Sequence, residues 1–281
     1  MKKEHFLIIG GTGKTGRKVV ESLQQLNQDV RVGSRSATIP FDWEQPATWA
    51  SAIKGIDKIY ITFQPDLAVP GAFEAIKGLV AIARQEGVKK LVLLSGKGET
   101  EAERCEQVVI NSGMDYTIVR ASWFNQNFSE SFFLEPILEG TVALPMPEAK
   151  VPYLDTGDIA DVVVESLLHR EHNGEIYELT GPELLTFEEV INEISEASGR
   201  TIGYIPVSLE DYLGVMQKQE VPESYIWLIE YLFTLVLVNP VNSVVTNDVE
   251  KVLKRPAKSF RSFAREVAAT GIWNPAVSTK S

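Results

Sequence analysis

The sequence predicts an α/β fold: a doubly wound parallel sheet followed by a smaller, mostly helical C-terminal lobe. Three observations predict it. Strands and helices alternate up to about residue 120, the strands are almost continuous runs of Val, Ile and Leu, and the helices carry apolar residues at i, i+3 and i+4. Such continuous apolar strands are typical of a parallel sheet that is covered by helices on both faces. We therefore expect a large sheet domain with helices on each side.

The elements of the sheet domain follow from these patterns in chain order. Strands are predicted over 5–10, 29–34, 39–43, 56–63, 88–96 and 115–121. Helices are predicted over 14–26, 47–53, 71–87 and 99–113. The last two helices end at Gly87 and Gly113, because glycine readily adopts the left-handed conformation that closes a helix.

The alternation loosens after residue 135 but does not stop there. A helix is predicted over 156–169 and a strand over 175–181, and both are expected to return to the sheet. The remainder of the chain is mostly helical. We therefore place the sheet domain in residues 1–184 and the C-terminal lobe in residues 185–281, with segment 123–152 as a further contributor to the cleft of the lobe.

The predicted lobe opens with a well-marked helix. Thr186 and Glu189 form a capping box at its start, and Gly199 marks its end. The apolar stretch 226–238 is interrupted by a glutamate and is well short of the roughly 20 residues that a membrane span requires. We predict a core or interface helix there and no membrane association.

Composition excludes several classes of function. The formal net charge is −11, and the Lys and Arg residues are scattered along the chain, which argues against a nucleic acid as a partner. The single cysteine, Cys105, falls on the apolar face of a predicted helix, where a buried structural thiol is expected. The three histidines have no metal-ligand spacing, so no metal site is predicted. The initial apolar run is too short for a signal peptide, and we expect a cytoplasmic protein.

The segment LIIGGTGKTGR, residues 7–17, carries the clearest chemical signal. Three glycines at intervals of three follow an apolar strand and open an amphipathic helix, which is the context of a dinucleotide-binding loop in a Rossmann fold. Only two residues separate the first two glycines, which disfavours an NTPase phosphate loop. A glycine-rich turn without a ligand is the alternative. The residues expected to contact the coenzyme here are Gly10, Gly11, Thr12, Gly13, Lys14, Thr15 and Gly16.

The end of the second strand indicates which coenzyme is preferred. It carries Ser34, Arg35 and Ser36 but no acid, and a coenzyme without the 2′-phosphate is usually held by an Asp or Glu there. A guanidinium between two hydroxyls suits a 2′-phosphate, so NADP(H) is expected to be preferred over NAD(H). A solvated Arg35 is the alternative. Asp42, at the end of the predicted strand 39–43, is either an adenine contact or an exposed turn carboxylate.

Further coenzyme contacts are expected at the carboxyl ends of the neighbouring strands, because ligands of open α/β sheets bind at that edge. These residues are Thr62, Phe63, Ser95, Gly96 and Lys97.

Four segments of the chain together resemble the NmrA-like group of atypical short-chain dehydrogenases. They are GGTGKTGR, VGSRSATIPFDWEQPATW, DYTIVRASWFNQNFSE and GPELLTFEEVINEISEASGR. More narrowly, they are similar to the branch of festuclavine and agroclavine dehydrogenases. The resemblance implies a Rossmann core, NADPH-dependent reduction in related enzymes, and a substrate cleft between the core and the C-terminal lobe. The wider group also includes quinone reductases and coenzyme-sensing regulators that catalyse nothing.

The usual proton donor of short-chain dehydrogenases is missing. Typical members place a Tyr, and a Lys four residues later, after the serine of the fifth strand. This chain keeps that serine as Ser95, whereas segment 95–113 contains no Tyr. Lys97 is either a substrate or ribose contact or a solvated loop residue. Tyr153 is a candidate remote proton donor, with a strand Tyr packed against the lobe as the alternative.

The segment ASWFNQNF follows the sixth predicted strand and therefore begins at the ligand-binding edge of the sheet. Trp123 and Phe124 are expected to line the site of the nicotinamide and the substrate, and Asn125 or Asn127 to supply polar contacts. The alternative places the aromatic side chains in the core under the lobe. Two functions remain open: an NADPH-dependent reductase of iminium, quinone or activated C=C groups, and a coenzyme-sensing protein that acts through a protein partner.

Overall fold

The computed structural model describes residues 4–275, and these form two compact units. The first comprises the chain up to Ala121, together with Thr156–Leu179 and Asn247–Pro256. The second comprises Ser122–Asp155, Thr180–Thr246 and the chain from Ala257 onward. This division differs from the single boundary predicted after residue 184, because the chain leaves the first unit after its fifth strand and returns to it twice.

Strands and helices of the described residues are numbered in chain order. The strands are β1 (His5–Ile9), β2 (Asp29–Gly33), β3 (Lys58–Ile61), β4 (Lys90–Gly96), β5 (Asp115–Ala121), β6 (Thr141–Leu144), β7 (Glu175–Leu179) and β8 (Gly203–Pro206). The helices are α1 (Gly16–Gln25), α2 (Trp49–Ile53), α3 (Ala72–Gln85), α4 (Thr100–Ile110), α5 (Asn127–Glu130), α6 (Leu134–Glu139), α7 (Thr156–Leu168), α8 (Phe187–Ser198), α9 (Leu209–Lys218), α10 (Glu223–Tyr231), α11 (Asp248–Leu253) and α12 (Phe260–Ala268).

The first unit is built on one sheet in the order β2-β1-β3-β4-β5-β7. Every pair of neighbouring strands is parallel. The order reverses between β1 and β3, and this switch point is where doubly wound sheets bind their ligands. The predicted doubly wound fold is confirmed.

The strand predicted over 39–43 is absent, so the aromatic segment after β5 follows the fifth strand of the chain and not the sixth. Phe41 is buried and stacks on Trp49, with ring centroids 6.0 Å apart, and Trp43 packs edge-on against both rings. The apolar residues of this segment therefore serve a local aromatic cluster and not a strand of the sheet. Pro40, which has no N–H to donate, also disfavours strand pairing here.

Cys105 lies in α4 and is fully buried, as predicted. Burial raises the pKa of its thiol to about 11. Because the thiolate is the reactive form, this thiol is suited to packing and not to nucleophilic chemistry.

The second unit has a core of aliphatic and aromatic side chains and a short parallel sheet of β6 and β8. The predicted capping box is confirmed: Glu189 N donates to Thr186 Oγ1 over 3.2 Å, and Thr186 N donates to Glu189 Oε2 over 2.7 Å. The helix predicted over 226–238 is only partly a core helix. Phe233 is buried, whereas Leu235 is exposed. No helix among residues 4–275 has the length and apolarity needed to cross a bilayer.

Candidate functional site

A tight loop joins β1 to α1 and contains the three glycines. Gly10 has a φ of 70°, in the left-handed region, and a Cβ there would lie 2.1 Å from Thr62 Oγ1. A Cβ on Gly16 would lie 2.2 Å from the Gly10 carbonyl oxygen, so α1 approaches the loop too closely for any side chain. Around Gly13, by contrast, the described residues place only that oxygen and Gln64 Nε2 within 4 Å of such a Cβ. A Cβ on Gly13 would lie 3.2 Å from Gly10 O and 3.7 Å from Gln64 Nε2, so the loop is less crowded there than at Gly10 and Gly16.

The other predicted contacts of this loop differ in their exposure. Gly11 is buried, and its N–H donates to Gly33 O over 3.3 Å. Thr12 is exposed and Lys14 is half-buried. Thr15 is buried, and its Oγ1 accepts a hydrogen bond of 3.0 Å from the Tyr60 hydroxyl. Thr15 therefore connects the loop to β3 through Tyr60.

The neighbouring strand ends support the same loop. Thr62 Oγ1 donates to Ile9 O over 3.0 Å and so ties the end of β3 to the end of β1. Phe63 packs on Trp43, with ring centroids 4.8 Å apart. Trp43 in turn donates from Nε1 to Thr62 O over 3.0 Å. These contacts fix the backbone beside the glycine loop.

The end of β2 carries exposed polar side chains. Ser34 Oγ and Ser36 Oγ lie 3.5 Å apart, and Arg35 between them is exposed. Arg35 forms no ion pair with a carboxylate of residues 4–275. Asp42 accepts hydrogen bonds from Glu44 N and Gln45 Nε2, over 3.0 Å and 2.9 Å, so its carboxylate closes a local turn.

Ser95, at the end of β4, belongs to a buried polar network. Its Oγ donates to Glu106 Oε1 over 2.7 Å, and Glu106 is fully buried on α4. Arg120 compensates this charge with a hydrogen bond of 2.7 Å from Nη2 to Glu106 Oε2. Sequence reasoning missed the pair, although a glutamate in register with Ala102 and Val109 on the apolar face of a helix was a signal for it.

One of the two roles predicted for Lys97, a solvated loop residue, is wrong. Its side chain is 3% exposed, and Nζ lies 3.8 Å from Glu178 Oε2. Burial lowers the pKa of the Lys97 ammonium, and the Glu178 carboxylate opposes that shift. The structure therefore holds an amine in a buried position directly after β4.

Two acids, the half-buried Asp66 and the buried Glu99, join the loop after β3 to the turn before α4. Burial is the first cause that raises the pKa of both carboxyls, and their mutual repulsion raises that of Glu99 well above its usual value. Asp66 Oδ1 also accepts a hydrogen bond of 2.8 Å from Ala68 N. A Cβ on Gly96 would lie 2.0 Å from Glu99 Oε1, so the Glu99 carboxyl rests directly on the predicted coenzyme contact Gly96. Sequence reasoning missed this pair too, because its two members are far apart in the chain.

The residues predicted to contact substrate lie in the second unit. Trp123 is half-buried and packs edge-on against Phe187 and Phe233, with centroids 5.9 Å and 5.7 Å apart. Phe124 is half-buried and forms an isolated parallel bridge with Leu154. The half-buried Asn127 begins α5.

Asn125 and Tyr153 are buried polar residues in the same unit. Asn125 is completely buried, and neither polar atom of its side-chain amide has a hydrogen-bond partner among the described residues. Tyr153 is 2% exposed among Phe128, Phe187 and Phe260, and its hydroxyl also has no such partner. Burial raises the pKa of Tyr153 well above its usual value. Tyr153 therefore has the environment of a core side chain, which was the alternative to its predicted role as a remote proton donor.

The family model of the NmrA-like family matches residues 2–258. The chain belongs to the NmrA-like family. The match spans almost all of the described residues, so the resemblance read from four short segments extends through both units.

Two relatives with names that describe redox enzymes cover most of the chain. An NAD(P)H azoreductase of Xenophilus azovorans is 30% identical over 94% of this chain and 98% of its own. An agroclavine dehydrogenase of Claviceps fusiformis is 26% identical over 77% of this chain and 81% of its own. Among solved structures, an NADPH-dependent quinone oxidoreductase of Escherichia coli, complexed with NADPH, has a TM-score of 0.76 at 19% identity, covering 93% of this chain and 99% of its own. At that identity the likeness shows a shared fold.

Proposed function

We propose that the protein is an NADPH-dependent reductase that transfers a hydride to an activated small-molecule acceptor, such as an iminium ion, a quinone or a conjugated C=C group. The observation that carries this proposal is the glycine loop, which is less crowded around Gly13 than around Gly10 and Gly16 and lies at the start of α1 and at the switch point of the sheet. A nicotinamide coenzyme bound there supplies the hydride. The loop's role is to hold the pyrophosphate against the positive end of the α1 dipole.

The preference for NADPH over NADH rests on the end of β2. Arg35 is exposed and makes no ion pair among the described residues, and the hydroxyls of Ser34 and Ser36 lie next to it. A guanidinium can bind a phosphate through two parallel hydrogen bonds, and the hydroxyls add donors. No carboxylate among these three side chains is present to receive the 2′-hydroxyl of NADH.

The choice of an activated acceptor rests on the missing acid. Segment 95–113 has no Tyr, and Tyr153 is buried in an aromatic core with its pKa raised well above the usual value. Reduction of a simple ketone produces an alkoxide that needs a proton donor. An iminium ion takes hydride at carbon without protonation, and a quinone gives a stabilised phenolate. Relatives named as an azoreductase, an agroclavine dehydrogenase and a quinone oxidoreductase support an acceptor of this kind.

Trp123, Phe124, Asn125 and Asn127 are our candidates for contact with the acceptor. Asn125 is the best supported of them, because a buried amide without partners costs about 1 to 3 kcal/mol for each unsatisfied group. A polar ligand atom would remove that cost. Trp123 offers an aromatic face for stacking a flat acceptor.

The test is a panel of acceptors supplied with NADPH. We expect kcat/KM for cyclic iminium compounds or quinones to exceed that for unactivated ketones by at least ~10²-fold, the usual worth of general acid catalysis. Tyr153→Phe should keep this ratio, since the hydroxyl donates no proton in our proposal. Gly13→Val is the control variant that should not bind coenzyme, because the two methyl groups of the valine would occupy the position proposed for the pyrophosphate.

Two outcomes would contradict the proposal. Efficient reduction of ketones by the unmodified protein and by Tyr153→Phe would show that a proton donor exists. Tight NADPH binding without turnover of any acceptor would favour a coenzyme-sensing protein that acts through a protein partner.

A further inference from the structure

A surface groove in the second unit has no role in the function proposed above. It lies between the C-terminal end of α9 and one side of α10, and its volume is about 490 Å³. This is within the range of small-molecule sites. Its lining residues are Gln217, Val221, Glu223, Ile226, Trp227 and Glu230.

One face of α10 provides most of this groove. Glu223, Ile226, Trp227 and Glu230 are spaced at i, i+3, i+4 and i+7, so their side chains form a single stripe along the helix. The next two residues after Trp227 are buried and face away from that stripe. The helix is therefore anchored by one side and presents two carboxylates and an indole on the other.

The indole of Trp227 is held in place and remains accessible. It stacks on the ring of Tyr231 with centroids 5.4 Å apart and an interplanar angle of 9°. The Trp227 side chain is nevertheless 39% exposed. A large aromatic side chain fixed by stacking and left open to solvent is a preformed surface for a flat or cationic group.

The charges of the groove have one sign. Glu223 and Glu230 are exposed, and neither forms an ion pair with a basic residue of the described chain. None of the six lining residues is basic. Water solvates both exposed carboxylates, so a neutral ligand would gain nothing from them, and an anion would be repelled by them. A cation would gain from both carboxylates and from the indole.

We propose that this groove binds a small aromatic cation, with its ring against Trp227 and its positive charge beside Glu223 and Glu230. The site is independent of the proposed reductase activity. It requires neither coenzyme nor hydride transfer.

The test is calorimetric titration of the full chain without coenzyme, using 1-methylquinolinium as the probe and quinoline at pH 8 as its uncharged counterpart. We expect the cation to bind at least about tenfold more tightly than quinoline, and its affinity to fall as salt is added. Trp227→Leu and the double substitution Glu223→Gln/Glu230→Gln should each weaken binding of the cation by about 3- to 30-fold.

A matched control separates the groove from the net charge of the protein. Glu135→Gln/Glu139→Gln removes two exposed carboxylates from α6 in the same unit, so it changes the net charge equally. It should leave the affinity within about twofold. Circular dichroism on each variant checks that the fold is retained.

Three results would overturn the proposal. The first is equal binding of quinoline and the quinolinium ion, and the second is equal weakening by the control on α6. The third is that the unmodified protein does not bind the cation and that Trp227→Leu sediments with a lower mass than the unmodified protein. That result would mean that a second copy of the chain covers the groove. The probe is itself a cyclic iminium ion, so the substitutions separate this groove from the acceptor site. Trp227→Leu and Glu223→Gln/Glu230→Gln lie outside the candidate acceptor contacts and should leave the results of the acceptor panel unchanged.

Discussion

At the scale of single residues, the preference for one coenzyme depends on Arg35. It is the charged side chain between Ser34 and Ser36, and it forms no ion pair within the described chain. Charge-assisted contacts to a phosphate contribute about 1.5 to 3 kcal/mol, so Arg35→Ala should remove about one to two decades of NADPH preference while NADH affinity stays nearly constant. Calorimetry with both coenzymes measures this.

Arg84→Ala is the control for that experiment. Arg84 is exposed in the last turn of α3, and its loss removes the same charge from the protein. If the unmodified protein binds both coenzymes equally, or if Arg84→Ala weakens NADPH binding as much, then Arg35 does not select the coenzyme.

At the scale of elements, the half-buried Asp66 and the buried Glu99 link the loop after β3 to the turn before α4 through their carboxyls. The pKa of Glu99 is raised above its unfolded value, so the folded state holds the proton more firmly. Its contribution to stability is therefore present at low pH and is lost as pH rises from about 4.3, the unfolded value, through the folded pKa. The loop and the turn are held together best when the pair is protonated.

Glu99→Gln should remove this dependence, because the amide does not ionise. We expect the free energy of unfolding of Glu99→Gln to exceed that of the unmodified protein at pH 8 by about 1 kcal/mol or more, because the linkage to the raised pKa of Glu99 is removed, and to differ little from it at pH 4. Urea unfolding at the two pH values measures this. Glu86→Gln, at the exposed end of α3, should change stability by less than about 0.5 kcal/mol at both. A loss of stability at pH 8 in Glu99→Gln would contradict this account.

At the scale of the whole molecule, segment Asn247–Pro256 belongs to the first unit although it comes after most of the second. Arg255 fixes it there: its Nη1 donates to Asp158 Oδ1 over 2.6 Å, and its Nη2 donates to Asp161 Oδ2 over 2.5 Å. Asp158 is 1% exposed at the start of α7. Removing its partner leaves a buried carboxylate with less compensation.

Arg255→Ala should therefore destabilise the protein by about 1 to 3 kcal/mol, a range reduced because the guanidinium is partly exposed. Arg261→Ala is the matched control, since Arg261 pairs with Glu193 on the surface of the second unit and should cost less than about 1 kcal/mol. Equal losses in the two variants, measured by thermal unfolding, would mean that burial of Asp158 does not matter.

The sequence alone determined the doubly wound sheet, the glycine loop after β1 and the capping box of Thr186 and Glu189. Each of these is a local pattern: an apolar run that alternates with a helical period, three glycines between a strand and a helix, or two residues three positions apart. Local backbone preference and periodicity fix such features, so they can be read without knowing what lies opposite. The same reasoning failed at 39–43, where a proline and buried aromatic rings looked like a strand.

Only the tertiary structure decided which side chains from distant segments meet. The buried Lys97 has its ammonium 3.8 Å from the carboxylate of Glu178, which comes after the segment Ser122–Asp155 of the second unit. The Glu99 carboxyl lies beside that of Asp66. The side chain of Asn125 is buried and has no hydrogen-bond partner in the described chain. The burial and charge pairing of a side chain depend on the residues that pack against it, and these residues belong to segments tens of residues away in the chain. A sequence pattern that spans one element carries no record of them.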